Sequence, residues 1–272
     1  MRHLAFAVLT GAAVGVVFPT IAAAADLPRP VRPAPIVAPV ANWTGFYIGA
    51  NVGYLVESDT SGVSNFTQPA PVLSTPMPNT ASDNSAVGGF QAGYNWQFAP
   101  RWVLGVEGDF DWTNPAYAFC RTTDTGPPCA DAGRGFLNIS QKTNWLASVR
   151  GRLGFAWFDN VLVYGTAGGA WANIDTTLSS SCFVAGCGNN AVPNGISAAF
   201  SETKGGWVAG IGVESKIWNN WTARFEWLHY DFGTITNAFG APAAFGSYGV
   251  SYSRHVQYDT FRVGANYLFN WH

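Results

Sequence analysis

Glu107, Asp109 and Asp111 stand two residues apart, as do Arg150 and Arg152, Glu214 and Lys216, and Arg224 and Glu226; Arg262 stands alone. A spacing of two puts the members of each set on one face of an extended strand. Acids and bases gathered on such faces can line a charged pore constriction. They can also pair with one another and fill the space they share, since buried charges must be paired. His229 and Asp231 add a third chemistry, because an imidazole beside carboxylates such as Asp109 and Asp111 can activate water. Neither G-x-S-x-G nor H-E-x-x-H occurs in the chain, so no nucleophile elbow or zinc helix supports hydrolysis.

Cys120, Cys129, Cys182 and Cys187 are the four cysteines. No histidine stands near them and no C-x-x-C is present, which argues against zinc. In an oxidising compartment they read as disulfides, with three connectivities open. Lys+Arg 14 against Asp+Glu 16 gives a net charge of -2. That balance is no footing for nucleic acid, which calls for a basic patch. No metal site or cofactor motif stands out, and none is expected.

The elements that must hold these residues are strands. The last one, over 256–271, sets Phe261, Val263, Ala265, Tyr267, Phe269 and Trp271 against Thr260, Arg262, Gly264, Asn266, Leu268 and Asn270. The same period of two predicts strands over 45–56, 86–98, 102–113, 142–158, 161–174, 203–217 and 221–230. The glycine-rich 161–174 gives no clear assignment of its faces. Between these eight strands the connections alternate long and short. That is the pattern of an outer-membrane barrel, with short periplasmic turns and long external loops. Charged residues are only 11% and aromatics 15% of the chain, whereas ordinary soluble domains carry about 25% charge. A soluble barrel with apolar residues inside would need many Lys and Glu outside. Here the second face is largely Gly, Asn, Gln and Ser, which suits a cramped lumen.

Residues 1–25 read as a secretory signal: Arg2 and His3, an apolar stretch over 4–17, then Ala22 to Ala25 before Asp26. Residues 26–41 carry Pro28, Pro30, Pro33, Pro35 and Pro39 and read as an extended periplasmic linker, a spacer or a tether to peptidoglycan. Residues 42–272 form the barrel with four long external loops. Of the 16 prolines, none falls in a predicted strand.

Four segments carry a family resemblance. Asn42-Trp43-Thr44-Gly45-Phe46-Tyr47-Ile48-Gly49-Ala50-Asn51-Val52-Gly53-Tyr54 resembles the opening strand of the alphaproteobacterial opacity-like small outer-membrane barrels, the outer-membrane immunogenic protein or porin family. Phe225-Glu226-Trp227-Leu228-His229-Tyr230-Asp231-Phe232-Gly233 is similar to their seventh strand, and Asp259 to Phe269 to their last. Ala25-Asp26-Leu27-Pro28 resembles their mature start. The resemblance implies an all-β, eight-stranded antiparallel up-and-down transmembrane barrel in a Gram-negative outer membrane, without catalysis. It meets outer-membrane lipid and lipopolysaccharide and is inserted by the barrel assembly machinery; His272 here follows the aromatic on which such chains usually end.

The expected function is envelope integrity and contact with the environment or a host surface. Glu107, Asp109, Arg150, Arg152, Glu214, Arg224, Glu226 and Arg262 are expected to plug the lumen with ion pairs, because eight strands leave room only for side chains. The alternatives are a porin passing small solutes and an outer-membrane hydrolase. Glu214 and Arg224 are expected to face each other, if the hairpin is centred on Asn219, and to form an ion pair. For the cysteines, pairing within each loop closes the smallest rings. Non-reducing peptide mapping should therefore link Cys120 to Cys129 and Cys182 to Cys187; a Cys120–Cys182 peptide would refute local pairing.

Overall fold

The described residues of the computed structural model are 42–59, 62–67, 73–77, 84–122, 136–182, 192–240 and 249–269. The leader over 1–25, the linker over 26–41, Trp271 and His272 lie outside them. The strands are β1 (Gly45–Asp59), β2 (Gly62–Thr67), β3 (Leu73–Met77), β4 (Ser85–Ala99), β5 (Trp102–Thr113), β6 (Ala116–Thr122), β7 (Phe136–Phe158), β8 (Val161–Cys182), β9 (Val192–Trp218), β10 (Trp221–Gly240) and β11 (Gly249–Phe269). The pairings run β1-β4-β5-β7-β8-β9-β10-β11, and β1 pairs β11 from Phe46↔Phe269 to Asp59↔Gln257, which closes the ring. β2 continues β1 beside β11, and β6 continues β5 beside β7. The ring is therefore eight antiparallel strands, as the sequence predicts.

At one end the connections are tight: Pro100-Arg101, Asp159-Asn160 and Asn219-Asn220. Asn219 takes the left-handed backbone at φ 47 that such a turn needs, which its short amide tolerates. Each wall then alternates. Along β5 the odd residues Val103 to Thr113 face inward and the even ones outward. The glycine-rich β8 is oriented the same way, with Leu162, Tyr164 and Ala170 inward and Val163 and Trp171 outward.

The outward face is apolar and exposed, with Ile48, Val52, Leu104, Val106, Val149, Leu153, Ile211 and Val263 at mid-height. Trp96, Trp102, Trp157, Trp218 and Trp221 ring the lower edge, and Trp112, Trp171 and Trp207 the upper. Ten positions separate Trp102 from Trp112. At ~3.4 Å per residue and ~45° tilt that is about 24 Å along the axis, the height of the apolar band of an outer-membrane barrel. Indole rings at both edges sit where hydrocarbon meets water.

The strands do not stop at the upper ring. β9 has 27 residues, far more than the 9–11 or so that span a bilayer. The expected loops are thus partly strands: β2, β3, β6 and the upper ends of β7 to β11 lie in segments that sequence assigns to connections. Pro76 falls in β3 and Pro193 in β9, which corrects the expectation that no strand contains proline. Both sit where, among the described residues, one flank of the strand is unpaired, the place a missing N–H is tolerated.

Above the membrane the ring also opens. β9 and β10 pair only from Trp221↔Trp218 to Asp231↔Trp207, and β4 ends at Ser85. What rises is two four-stranded sheets, β3-β2-β11-β10 and β6-β7-β8-β9. Bulges cluster at this level, at Ser58, Asn144 and Phe232-Gly233. Gly233 takes φ 70, and its N–H donates to Asp231 Oδ1 at 2.8 Å. An extra residue in one strand bends it and increases its twist, which turns β10 away from β9.

Inside, glycines face tyrosines. Tyr47 lies opposite Gly93, and Tyr164 opposite Gly212; a Cβ at either glycine would overlap the ring. Outward Gly165 has open space around it. Gly93→Ala and Gly212→Ala should each destabilise the refolded barrel by about 1–3 kcal/mol in urea titrations, by overpacking. Gly165→Ala should be neutral within about 0.5 kcal/mol.

Candidate functional site

The inward parity of β5, β7, β9, β10 and β11 brings Glu107, Asp109, Arg150, Arg152, Glu214, Arg224, Glu226 and Arg262 into one buried cluster, with Asp111 beside it. Glu107 accepts from Arg150 and from Arg224 Nη1 (2.5 Å), and lies 3.7 Å from Arg152. Glu226 takes Arg150 Nη1 at 3.0 Å and Arg262 Nη2 at 2.6 Å, with Arg224 at 3.7 Å. Arg262 also reaches Asp109 (3.2 Å) and Asp111. Arg150 reaches Asp109 at 3.0 Å. Charge-assisted bonds of this kind are the strong ones, and here they tie opposite walls together.

Uncharged side chains complete the shell. Tyr47 donates to Glu107 (2.6 Å), Tyr164 to Glu226 (3.2 Å) and Ser148 to Asp109. The Arg152 guanidinium lies 4.1 Å from the Tyr164 ring centre. An amide relay runs from Asp111 through Asn51, Gln91 and Asn266 to Glu214. Sequence reading placed these amides on the lumen face but did not assign them to the acids, which stand on other strands: Asn51 on β1 meets Asp111 on β5, and Asn266 on β11 meets Glu214 on β9.

The expected Glu214–Arg224 pair is corrected. The register holds, Arg224↔Glu214. The carboxylate, however, binds Arg152 Nη2 at 2.7 Å, Thr222 at 2.6 Å and Asn266 at 2.9 Å, while Arg224 crosses to Glu107. Neighbouring side chains on one wall stand side by side. The longer arginine passes its shorter neighbour and meets an acid coming from the far wall of a narrow lumen. Lys216 is not part of the cluster: it donates to Asn42 O at 2.7 Å and covers the Trp43 ring at the periplasmic mouth.

Apolar layers bound the cluster. Trp43, Val103, Ala156, Leu162 and Tyr164 pack below it. Above it pack Leu55, Val87, Leu146, Leu228, Tyr230, Phe232 and Tyr258, with further small and branched residues. Higher still, Arg254 bonds Glu57 and Gln141 and lies 4.1 Å from the Tyr117 ring centre, joining the two upper sheets. Neither the upper apolar layer nor the Arg254–Glu57 pair emerges from the sequence reading. The signal was there, since the period of two continues through Glu57 and back from Val256 to Arg254.

His229 and Asp231 face outward, on the opposite side of the wall from Asp109 and Asp111. His229 Nδ1 lies 3.0 Å from Asp259 Oδ1, and His255 Nε2 lies 3.1 Å from Asp231 Oδ1. The wall thus separates His229 and Asp231 from Asp109 and Asp111, which the sequence reading had grouped with them. On the same outer rim, hydrogen bonds from Ser201 and Asn144 hold the Asp175 carboxyl below the usual carboxylate range. The backbones of Cys120 and Cys182 lie on β6 and β8, but their side chains, and all of Cys129 and Cys187, lie outside the described residues.

Residues 11–269 match the model of the outer membrane protein β-barrel domain. The chain is 33% identical over 266 residues to a 31 kDa outer-membrane immunogenic protein of Brucella melitensis, covering 95% of this chain and 98% of that one. It is 28% identical over 199 residues to a 22 kDa outer membrane protein of Rhizobium leguminosarum, 72% and 67% of the two chains. Among solved structures it resembles the outer membrane protein OprG from Pseudomonas aeruginosa, with 12% identity, 84% and 97% coverage and a TM-score of 0.45. The closed antiparallel ring, the family match over residues 11–269 and the 33% identity to the Brucella protein make this chain a member of the outer-membrane β-barrel protein family, beside the alphaproteobacterial outer-membrane immunogenic proteins.

Proposed function

We propose that the protein is a closed, non-catalytic barrel that contributes to envelope integrity and presents its upper sheets and external loops to lipopolysaccharide and to host or environmental surfaces. One observation carries the closed-lumen reading: Glu107, Arg150, Glu226 and Arg262, from four different walls, are bonded to one another across the lumen. A pore would need water and mobile counter-ions around such groups. Apolar layers on both sides of the cluster support the same reading. The separation of His229 from Asp109 and Asp111 weighs against hydrolysis, and the wall rising beyond the bilayer supports a role at the surface.

The network sets a hierarchy of variants. Asp111 has Arg262 as its arginine, whereas Glu107 keeps Arg150 when Arg224 is lost. Arg262→Ala should therefore destabilise the barrel by about 3 kcal/mol, as a buried acid loses its cation. Arg224→Ala should have a smaller effect, and Asp111→Asn should partly rescue Arg262→Ala. Urea titration of refolded protein reads all three. In planar bilayers the purified protein should give small or no conductance. A stable, large, ohmic conductance would replace the closed barrel with the porin.

A further inference from the structure

Where the ring splits, four strand edges are unpaired among the described residues: β3, β6, β9 above Trp207, and β10 above Asp231. Such an edge is a row of backbone donors and acceptors ready to pair with another chain, and proteins usually blunt it with proline or charge. β3 contains Pro76. β6 contains Arg121 and follows Pro115. The free part of β9 contains Pro193, Glu202 and Lys204. β10 differs: its free stretch, Thr234-Ile235-Thr236-Asn237-Ala238-Phe239-Gly240, has neither proline nor charge and is rich in residues that favour strands. The bulge at Phe232-Gly233 starts this stretch, and its other flank is held by β11 from Thr234↔His255 to Gly240↔Gly249. Thr234, Thr236 and Ala238 are exposed, while Ile235 is buried.

We propose that the β10 edge from Thr234 to Gly240 is a docking site for an extended polypeptide segment of an extracellular partner, which adds as an antiparallel strand. The chemistry of the edge selects this occupant, because only an extended main chain matches alternating N–H and C=O groups along seven residues. A second copy fits less well. Barrels in one membrane share an orientation, so two β10 edges would meet in parallel, the less stable ladder. An uncharged edge also asks for an uncharged segment.

The proposal rests on the surface-contact reading above, yet it fails separately: the edge is read by amide exchange, the surface reading by protease accessibility on whole cells. The mature protein, refolded in lipid nanodiscs, is followed by residue-resolved hydrogen exchange. In the free protein, alternate amides of Thr234 to Gly240 should exchange fast while those bonded to β11 exchange slowly. The probe is a capped Thr-Val-Thr-Val-Thr-Val-Thr peptide at saturating concentration, which should slow the fast set by about tenfold. The same peptide N-methylated at alternate amides should not. Thr236→Lys should abolish the protection while the heat-dependent gel shift of a folded barrel persists. Uniformly slow exchange in the free protein, no response to the peptide, or equal protection by the methylated peptide would each overturn the proposal.

Discussion

A strand inside hydrocarbon has no water to bond its backbone, so every wall must find two neighbours. Pairing of β1 with β11 meets that requirement, and it holds from Phe46 to Asp59. Closure in turn creates a narrow interior, which in a barrel of eight strands is about wide enough for side chains to fill. Whatever charge points inward is then desolvated and must be paired. The arginine–carboxylate cluster follows from closure, and so do the lumen glycines, which leave room for Tyr47 and Tyr164 to lie flat against the wall and reach Glu107 and Glu226.

The same constraint lapses at the upper girdle. Above Trp112, Trp171 and Trp207 the outer face meets water, and an unpaired edge is no longer prohibitive. The bulges at Ser58, Asn144 and Phe232-Gly233 lie at that boundary. There the wall exchanges closure for two sheets held together by side chains, with Arg254 crossing to Tyr117 and Gln141. One chain thus follows two rules along its length, backbone satisfaction in the bilayer and sandwich-like packing beyond it.

Function divides at the same boundary. Within the membrane the outward residues serve lipid and the inward ones serve one another. Beyond it, the walls carry polar pairs such as His229–Asp259 and His255–Asp231 on their outer face, and edges that differ in how well sequence protects them.

Much of this was legible in the residues alone. Period-two alternation and the long–short rhythm of connections specify eight strands, the membrane and, outside the glycine-rich 161–174, the inward parity, because each of these is local. The register of the Asn219 hairpin was legible for the same reason. Which acid meets which arginine was not: Glu214 and Arg224 are opposite in register yet bind Arg152 and Glu107, a choice made by side-chain length across the lumen. Nor could sequence tell that the segments over 62–67, 73–77, 116–122 and 234–240 are strands, since Ser, Thr, Asn and Pro read as loop until a neighbouring strand supplies their partners. Local pattern determined the walls and their faces; only the closed ring, by bringing distant walls within reach, decided the contacts inside it and the edges left open above it.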